Sequence, residues 1–364
     1  MTVAPTPAHL ESDDAAWDVF VAGSAGASHL QSSPWAASKR PNGWSAFRVA
    51  AAAPDGRVIG AQVLVVRPRL SPWGVGYIAR GPVTADGGLD PVLLRVFREA
   101  LVAAGRRRRL ALVRIEPDAT EDGPLTRALI GLGLRRTAHI QPDRSRIVDL
   151  VPDEEAILAG MHRKCRQSIA KSARLGVRVV AADRARLPEL HAVYAEAVGR
   201  AGIAPRSARA FDALWDALAP HGMIRAFLAE AEETGEVVAA LLLVRCGHRV
   251  VDLYGGTTPE GGRRRANYLL KWEAMRTLRA EGVREYDLWG LPRSGIEQFK
   301  SGFGGREIDY AGAWELRLSP LGSTLVGAAE ALRGRWRAWR YRAVHRPDAP
   351  DPAPDGADGE AAGA

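Results

Sequence analysis

Two stretches of this chain hold the residues best suited to chemistry. In IEQFKSGFGGREIDY (296–310), glycines at 302, 304 and 305 around Phe303 predict a tight turn that fixes Phe299 and Lys300 in one place. A lysine held there could neutralise a phosphate or the oxyanion of a tetrahedral intermediate as a point charge. A surface lysine beside a structural turn is the plainer alternative. In GGTTPEGGRRRANYLL (255–270) a strand runs into a helix, where backbone amides and the helix dipole could receive phosphate. Three arginines are followed there by Ala266-Asn267-Tyr268, not by the glycine spacing of an acyl-CoA pyrophosphate cradle. A solvated basic loop capping a core helix therefore competes with phosphate contact, and Arg106 to Arg109 reads as a solvated turn. No Ser-His-Asp order, nucleophile elbow, Walker loop or HExxH occurs, so neither covalent nor metal catalysis is signalled. No cofactor and no metal are expected. A lone catalytic carboxylate or lysine remains open.

The elements that must position these residues repeat. RVIGAQVLVV (57–66), GVGYIARGPVT (74–84), a helix after Asp90 and RLALVRIEP (109–117) form strand, strand, helix, strand. EVVAALLLV (236–244), HRVVDLYGGTT (248–258), a helix ending near Glu281 and REYDLWGLP (284–292) follow the same order. A period this long is a duplicated domain, not a solenoid. Between them, helices fit Leu187 to Gly199 and Ser207 to Leu218, and VPDEEAILAGMHRKCRQSIAKSARLGV reads as one helix to Leu175 with Gly176 as its cap. IDYAGAWELRL (308–318) reads as one strand, and a last helix, Leu321 to Val344, interleaves arginines with Trp336, Trp339 and Tyr341. That helix could meet RNA or a membrane surface, or pack its aromatics on a neighbour. The class is therefore mixed α/β, two tandem domains of the acyl-CoA N-acetyltransferase type.

With 364 residues, 46% hydrophobic and 25% charged, the chain suits a two-domain soluble protein. A formal charge of +8 favours polyanionic partners without requiring them. Cys165 and Cys246 read as reduced, buried thiols. The first residues lack the apolar run of a signal peptide, and the tail 346–364 is of disordered composition.

At this level the residues resemble a family. LYGGTTPEGGRRRANYLLKWEAM through FKSGFGGREIDYAGAWEL is similar to the C-terminal half of the FemABX family, the aminoacyltransferases that build peptidoglycan bridges. LQSSPWAASKRPNGW and KCRQSIAKSARLGV extend the likeness in order over residues 28–318. The resemblance implies two domains, 1–150 and 151–319, with a helix at 320–345 packed back on the first; some members carry a coiled-coil arm, but without sustained heptads the compact form is expected here. It implies transfer from aminoacyl-tRNA to the side-chain amine of the stem peptide in lipid II or UDP-MurNAc-pentapeptide. Lys39 and Arg206 match residues that hold the acceptor's phosphates, and Tyr254 matches an acceptor-contacting tyrosine. Trp35, Asn267 and Tyr268 fall in the family's substrate-binding elements. Phe299 and Lys300 match the pair at the aminoacyl end, and Asp118 matches an acidic residue of the cleft that could take the amine's proton, as could a substrate phosphate. Ala210 stands where the family often has tyrosine, and Ala266 where it commonly has proline. A cytoplasmic monomer touching the inner membrane face is expected. An acyl-CoA-dependent N-acyltransferase and a non-catalytic protein binding RNA or anionic lipid are the alternatives.

Overall fold

The computed structural model describes residues 6–68, 71–121, 123–291 and 295–329. Its strands in chain order are β1 (Trp44–Ala52), β2 (Val58–Val66), β3 (Gly74–Ala79), β4 (Val83–Thr84), β5 (Leu110–Glu116), β6 (Arg135–Thr137) and β7 (Arg144–Asp149). They continue as β8 (Val177–Ala182), β9 (Ile224–Ala231), β10 (Val237–Cys246), β11 (Arg249–Thr257), β12 (Glu285–Asp287), β13 (Arg306–Asp309) and β14 (Ala313–Arg317). One mixed sheet runs β1-β2-β3-β5-β14-β6, with β4 beside β2; the other runs β13-β7-β12-β11-β10-β9-β8.

The expected duplication is present in the pairing itself. β2 pairs antiparallel with β3, which pairs parallel with β5; β10 pairs antiparallel with β11, which pairs parallel with β12. Each parallel step needs a crossover, supplied by the helices Pro91–Arg107 and Ala266–Ala280. The first starts firmly because Asp90 accepts from the Val92 and Leu93 amides and Pro91 presets the first turn. It buries Leu93, Leu94, Phe97, Leu101 and Ala104 on the sheet. The second buries Leu269, Leu270, Trp272, Met275 and Leu278 in the same way. β2 and β10 are apolar almost throughout because both of their faces are covered.

Strand pairing cuts the chain differently from the expected 1–150 and 151–319. β7 pairs with β12 and β13 in the second sheet, whereas β14 returns to the first sheet between β5 and β6. The stretch expected as one strand, 308–318, therefore splits at Gly312, whose φ of 74° no strand continues. The helix expected over the block from Val151 to Leu175 also splits, into Glu154–Ala159 and Arg163–Arg174. Residues 320–329 are helical and lie on the first sheet, Val326 against Ala111 and Leu112. The rest of the expected helix, with Trp336, Trp339 and Tyr341, and the tail 346–364 lie outside the described residues.

The two sheets share a core. Leu30, Trp35, Leu64, Tyr77 and Ala79 of the first unit pack in one cluster with Leu190, Phe211, Leu228 and Leu242 of the second. No helix among the described residues is long and apolar enough to cross a membrane.

Candidate functional site

A cavity of about 610 Å³ opens at the seam between the two units. On one side the helix Ser33–Lys39 begins with Ser32 accepting the Trp35 amide at 3.3 Å. Lys39 follows Trp35 by four residues, on the same helix face, and its Nζ sits 3.5 Å from the Trp35 ring centroid. On the other side Arg206 precedes Ser207, the cap of the helix Ala208–Leu218, and its guanidinium carbon lies 5.6 Å from the centroid of Tyr254 on β11. Trp35, Lys39, Arg206 and Tyr254 line the cavity with Tyr77, Gln141 and Trp289, and no carboxylate among the described residues lines it. Burial, then repulsion from Arg206, holds the Lys39 ammonium down to a pKa of about 8. Two cations facing one space, with no acidic side chain among its described lining residues, suit an anion.

The second sheet splays beside this cavity. β11 and β12 stay in register only from Arg249↔Glu285 to Val251↔Asp287, and then part. Asp252 and Tyr254 leave on one strand and Trp289 on the other. Trp289 has φ 48° and Gly290 φ 74°, a turn that points both carbonyls back at Lys300. Lys300 Nζ donates to the Trp289 carbonyl and, at 2.8 Å, to that of Gly290. Burial lowers its pKa to about 8, with Lys271 pushing the same way and Asp252 and Asp287 opposing. Lys300 is thus joined to the cavity wall through Trp289, not set on the lining itself. Below it Lys271 and Asp252 form a buried ion pair, and Asp287, bonded to Ser145 Oγ and to the Trp289 amide at 2.8 Å, is buried completely, which raises its pKa.

The remaining residues singled out from the sequence fall around this centre unevenly. Phe299 stacks edge-on with Tyr268 at 4.8 Å and with Phe303 at 5.4 Å, and Lys271 Nζ lies 6.0 Å from its ring. Asn267 is half-buried in the first turn of the helix Ala266–Ala280, next to Tyr268 and away from the cavity lining. Asp118 does not line the cavity either. It borders a separate small one with Gly26, Ser28 and Arg80, and its Oδ2 accepts from Arg249 at 3.3 Å. That guanidinium also donates to Glu285 at 2.8 Å, so the carboxylate expected to take a proton is held in a clasp between the units.

The stretch 255–270 offers no open amide cradle. The amides of Gly261, Gly262, Arg264 and Arg265 all bond within their own turn. Arg263 pairs with Glu260, and Arg264 with Glu260 and Glu233; Arg265 has no acidic partner among the described residues. Ala210 does line the cavity, so the missing tyrosine leaves room there. Trp289, Gln141, Tyr77 and Asp287 were not picked out from the sequence. Only Trp289 carried a signal, a bulky aromatic before glycine at the end of the repeated strand. No three His, Cys, Asp or Glu among the described residues stand close enough together to hold a metal.

Known proteins are similar to this chain in sequence and in fold. Residues 13–125 match the FemAB family, and residues 159–301 match an acetyltransferase (GNAT) domain. A lipid II:glycine glycyltransferase of Staphylococcus saprophyticus is 26% identical over 229 residues, 60% of this chain and 55% of that protein. One from Staphylococcus aureus (strain NCTC 8325 / PS 47) is 25% identical over 226 residues, 59% of this chain and 53% of that protein. The match thus spans just over half the length of these relatives. In three dimensions the chain is similar to the crystal structure of FemX, with a TM-score of 0.77 and 21% identity over 86% of this chain and 98% of that one. A conserved protein of unknown function from Bacteroides thetaiotaomicron is more distant, with a TM-score of 0.56 at 12% identity over 84% of this chain and 96% of that one. At these identities the likeness to both structures concerns the fold, two tandem GNAT-like domains.

Proposed function

We propose that this chain, which belongs to the FemABX family, transfers an aminoacyl group from aminoacyl-tRNA to the side-chain amine of a peptidoglycan stem peptide. The observation that carries the reading is the meeting of Lys39 and Arg206, from different domains, at one cavity beside Tyr254 and Trp289. The acceptor's pyrophosphate fits that pair of cations, whether lipid II or its UDP-linked precursor brings it. The relatives' names support lipid II as the acceptor and glycine as the first aminoacyl group to test.

The chemistry asks little of the protein in covalent terms. The ester of aminoacyl-tRNA is already activated, so a neutral amine placed against its carbonyl forms the amide, and the ribose hydroxyl leaves with a proton. The tetrahedral intermediate puts negative charge on the former carbonyl oxygen. Lys300 Nζ, half-buried and pre-aimed by two backbone carbonyls, is the group we assign to that charge. Phe299, in its aromatic cluster, meets the aminoacyl end. Asp118 is assigned to the clasp with Arg249, and the amine's proton leaves through a substrate phosphate or solvent.

The test is direct. Purified protein is incubated with lipid II and a panel of charged tRNAs, and the lipid product is weighed by mass spectrometry. A gain of one aminoacyl residue on the stem peptide is expected with at least one tRNA. No gain with any of them would refute the reading.

A further inference from the structure

The 163–174 helix carries a charge pattern that the cavity does not use. Between Glu155 and Asp183 the chain contains no acidic residue and six basic ones, Arg163, Lys164, Arg166, Lys171, Arg174 and Arg178. Two of these are spent. Arg166 donates to the carbonyls of Leu158, Ala159 and Met161, and Arg178 pairs with Glu230. Arg163, Lys164, Lys171 and Arg174 are exposed and have no acidic partner among the described residues. Cys165, Ile169 and Ser172 form the buried side of the helix, so these four cations share its outward side. Twelve residues make a helix about 18 Å long, enough to follow several phosphates. Arg264, bonded to the Leu175 carbonyl at 2.7 Å, joins the end of this helix to the segment bearing Arg265, which has no acidic partner among the described residues.

The helix is also tied to the transfer site without slack. The His162 amide donates to the Gly302 carbonyl at 2.9 Å, directly before the helix begins. Gly304 sits at φ 76° against the Gly160 carbonyl, where a Cβ would collide with it. The same turn follows Phe299 and Lys300. A rigid polyanion lying along the helix would therefore deliver its end to those two residues.

We propose that the outward side of the 163–174 helix binds the phosphate backbone of an RNA duplex whose single-stranded end reaches Phe299 and Lys300. The surface suits RNA over an anionic bilayer because only Leu175, at its far end, is an exposed large apolar residue on it. This rests on the reading of the donor as aminoacyl-tRNA, and it adds where the RNA body docks.

The experiment uses the full chain and a short RNA hairpin ending in a single-stranded CCA, followed by fluorescence anisotropy at several salt concentrations. The triple variant Lys164→Glu/Lys171→Glu/Arg174→Glu should weaken hairpin binding on the order of 100-fold near physiological salt. The matching triple alanine variant should reduce the slope of log K against log salt by about 2 to 3, close to 0.9 for each phosphate no longer neutralised. Binding of UDP-MurNAc-pentapeptide should not change in either variant, which shows that the fold and the cavity are intact. Unchanged RNA affinity and slope would overturn the proposal, as would loss of binding to phosphatidylglycerol vesicles with RNA binding retained. Loss of RNA binding in a protein that transfers nothing from charged tRNA would uphold the surface while removing the transfer reading. Normal transfer with an unaltered KM for tRNA would remove the surface alone.

Discussion

Lys300 is an ammonium under two carbonyls, and Lys39 is one over an indole; neither has a carboxylate bonded to it among the described residues. Both are held down to about 8, so both are charged at neutral pH and lose that charge through about pH 8. The sign follows directly. If the charged forms act, acceptor binding and transfer both decline as pH rises through that range. Lys39→Arg keeps its charge, so it should carry the alkaline limb of acceptor binding upward while the limb of kcat, set by Lys300, stays in place. Profiles of kcat and kcat/KM against pH would show this, and limbs that move together would contradict it. Asp118 belongs to the other kind of residue. Its carboxylate is committed to Arg249, so Asp118→Asn should change kcat by less than the 10²-fold or more lost with a general base. It should instead lower stability by about 1–3 kcal/mol through a weakened, partly buried bond, measured by denaturant unfolding. The motif of Asp118 pointed to the cleft, whereas the structure sets it on a separate small cavity, paired with Arg249. That pairing was not legible, because Arg249 lies in the other domain and nothing local announces it.

At the scale of elements, the GFGG turn does the positioning. Gly304 at φ 76° meets the Gly160 carbonyl and Gly305 at φ 78° meets that of Ile147, so both need glycine for space as well as for backbone angle. Gly304→Ala should cost about 1–3 kcal/mol in unfolding free energy. It should also lower kcat more than it raises the KM for acceptor, since the turn sets Lys300 and not Lys39. Steady-state kinetics beside urea unfolding would check both. This turn was legible because its glycines are dense. What the turn touches was not. The single helix expected over the block from Val151 to Leu175 breaks at Gly160 to His162, where the incoming turn takes the backbone space. Periodicity reads only a helix's own face and is blind to a neighbour that wedges into it. The break at Gly312 likewise follows from a tertiary need, moving the chain from the second sheet back to the first.

At the scale of the whole molecule, duplication was the most legible feature because each copy repeats strand, strand, helix and strand with its own turn residues. The exchange of β7 and β14 between sheets was not legible, since short strands carry no mark of their partners. That exchange matters to function. With the shared core and the Arg249 clasp, it fixes one half against the other, so cations from separate halves can face one cavity. The central claim is a division of labour across that seam, and steady-state kinetics of two variants against the acceptor test it most directly. Lys39→Ala/Arg206→Ala should raise the KM for acceptor with kcat largely kept, whereas Lys300→Ala should lower kcat by about 10²-fold with little change in that KM. A Lys300→Ala enzyme with normal kcat, or a double variant that binds acceptor as well as the parent, would contradict it.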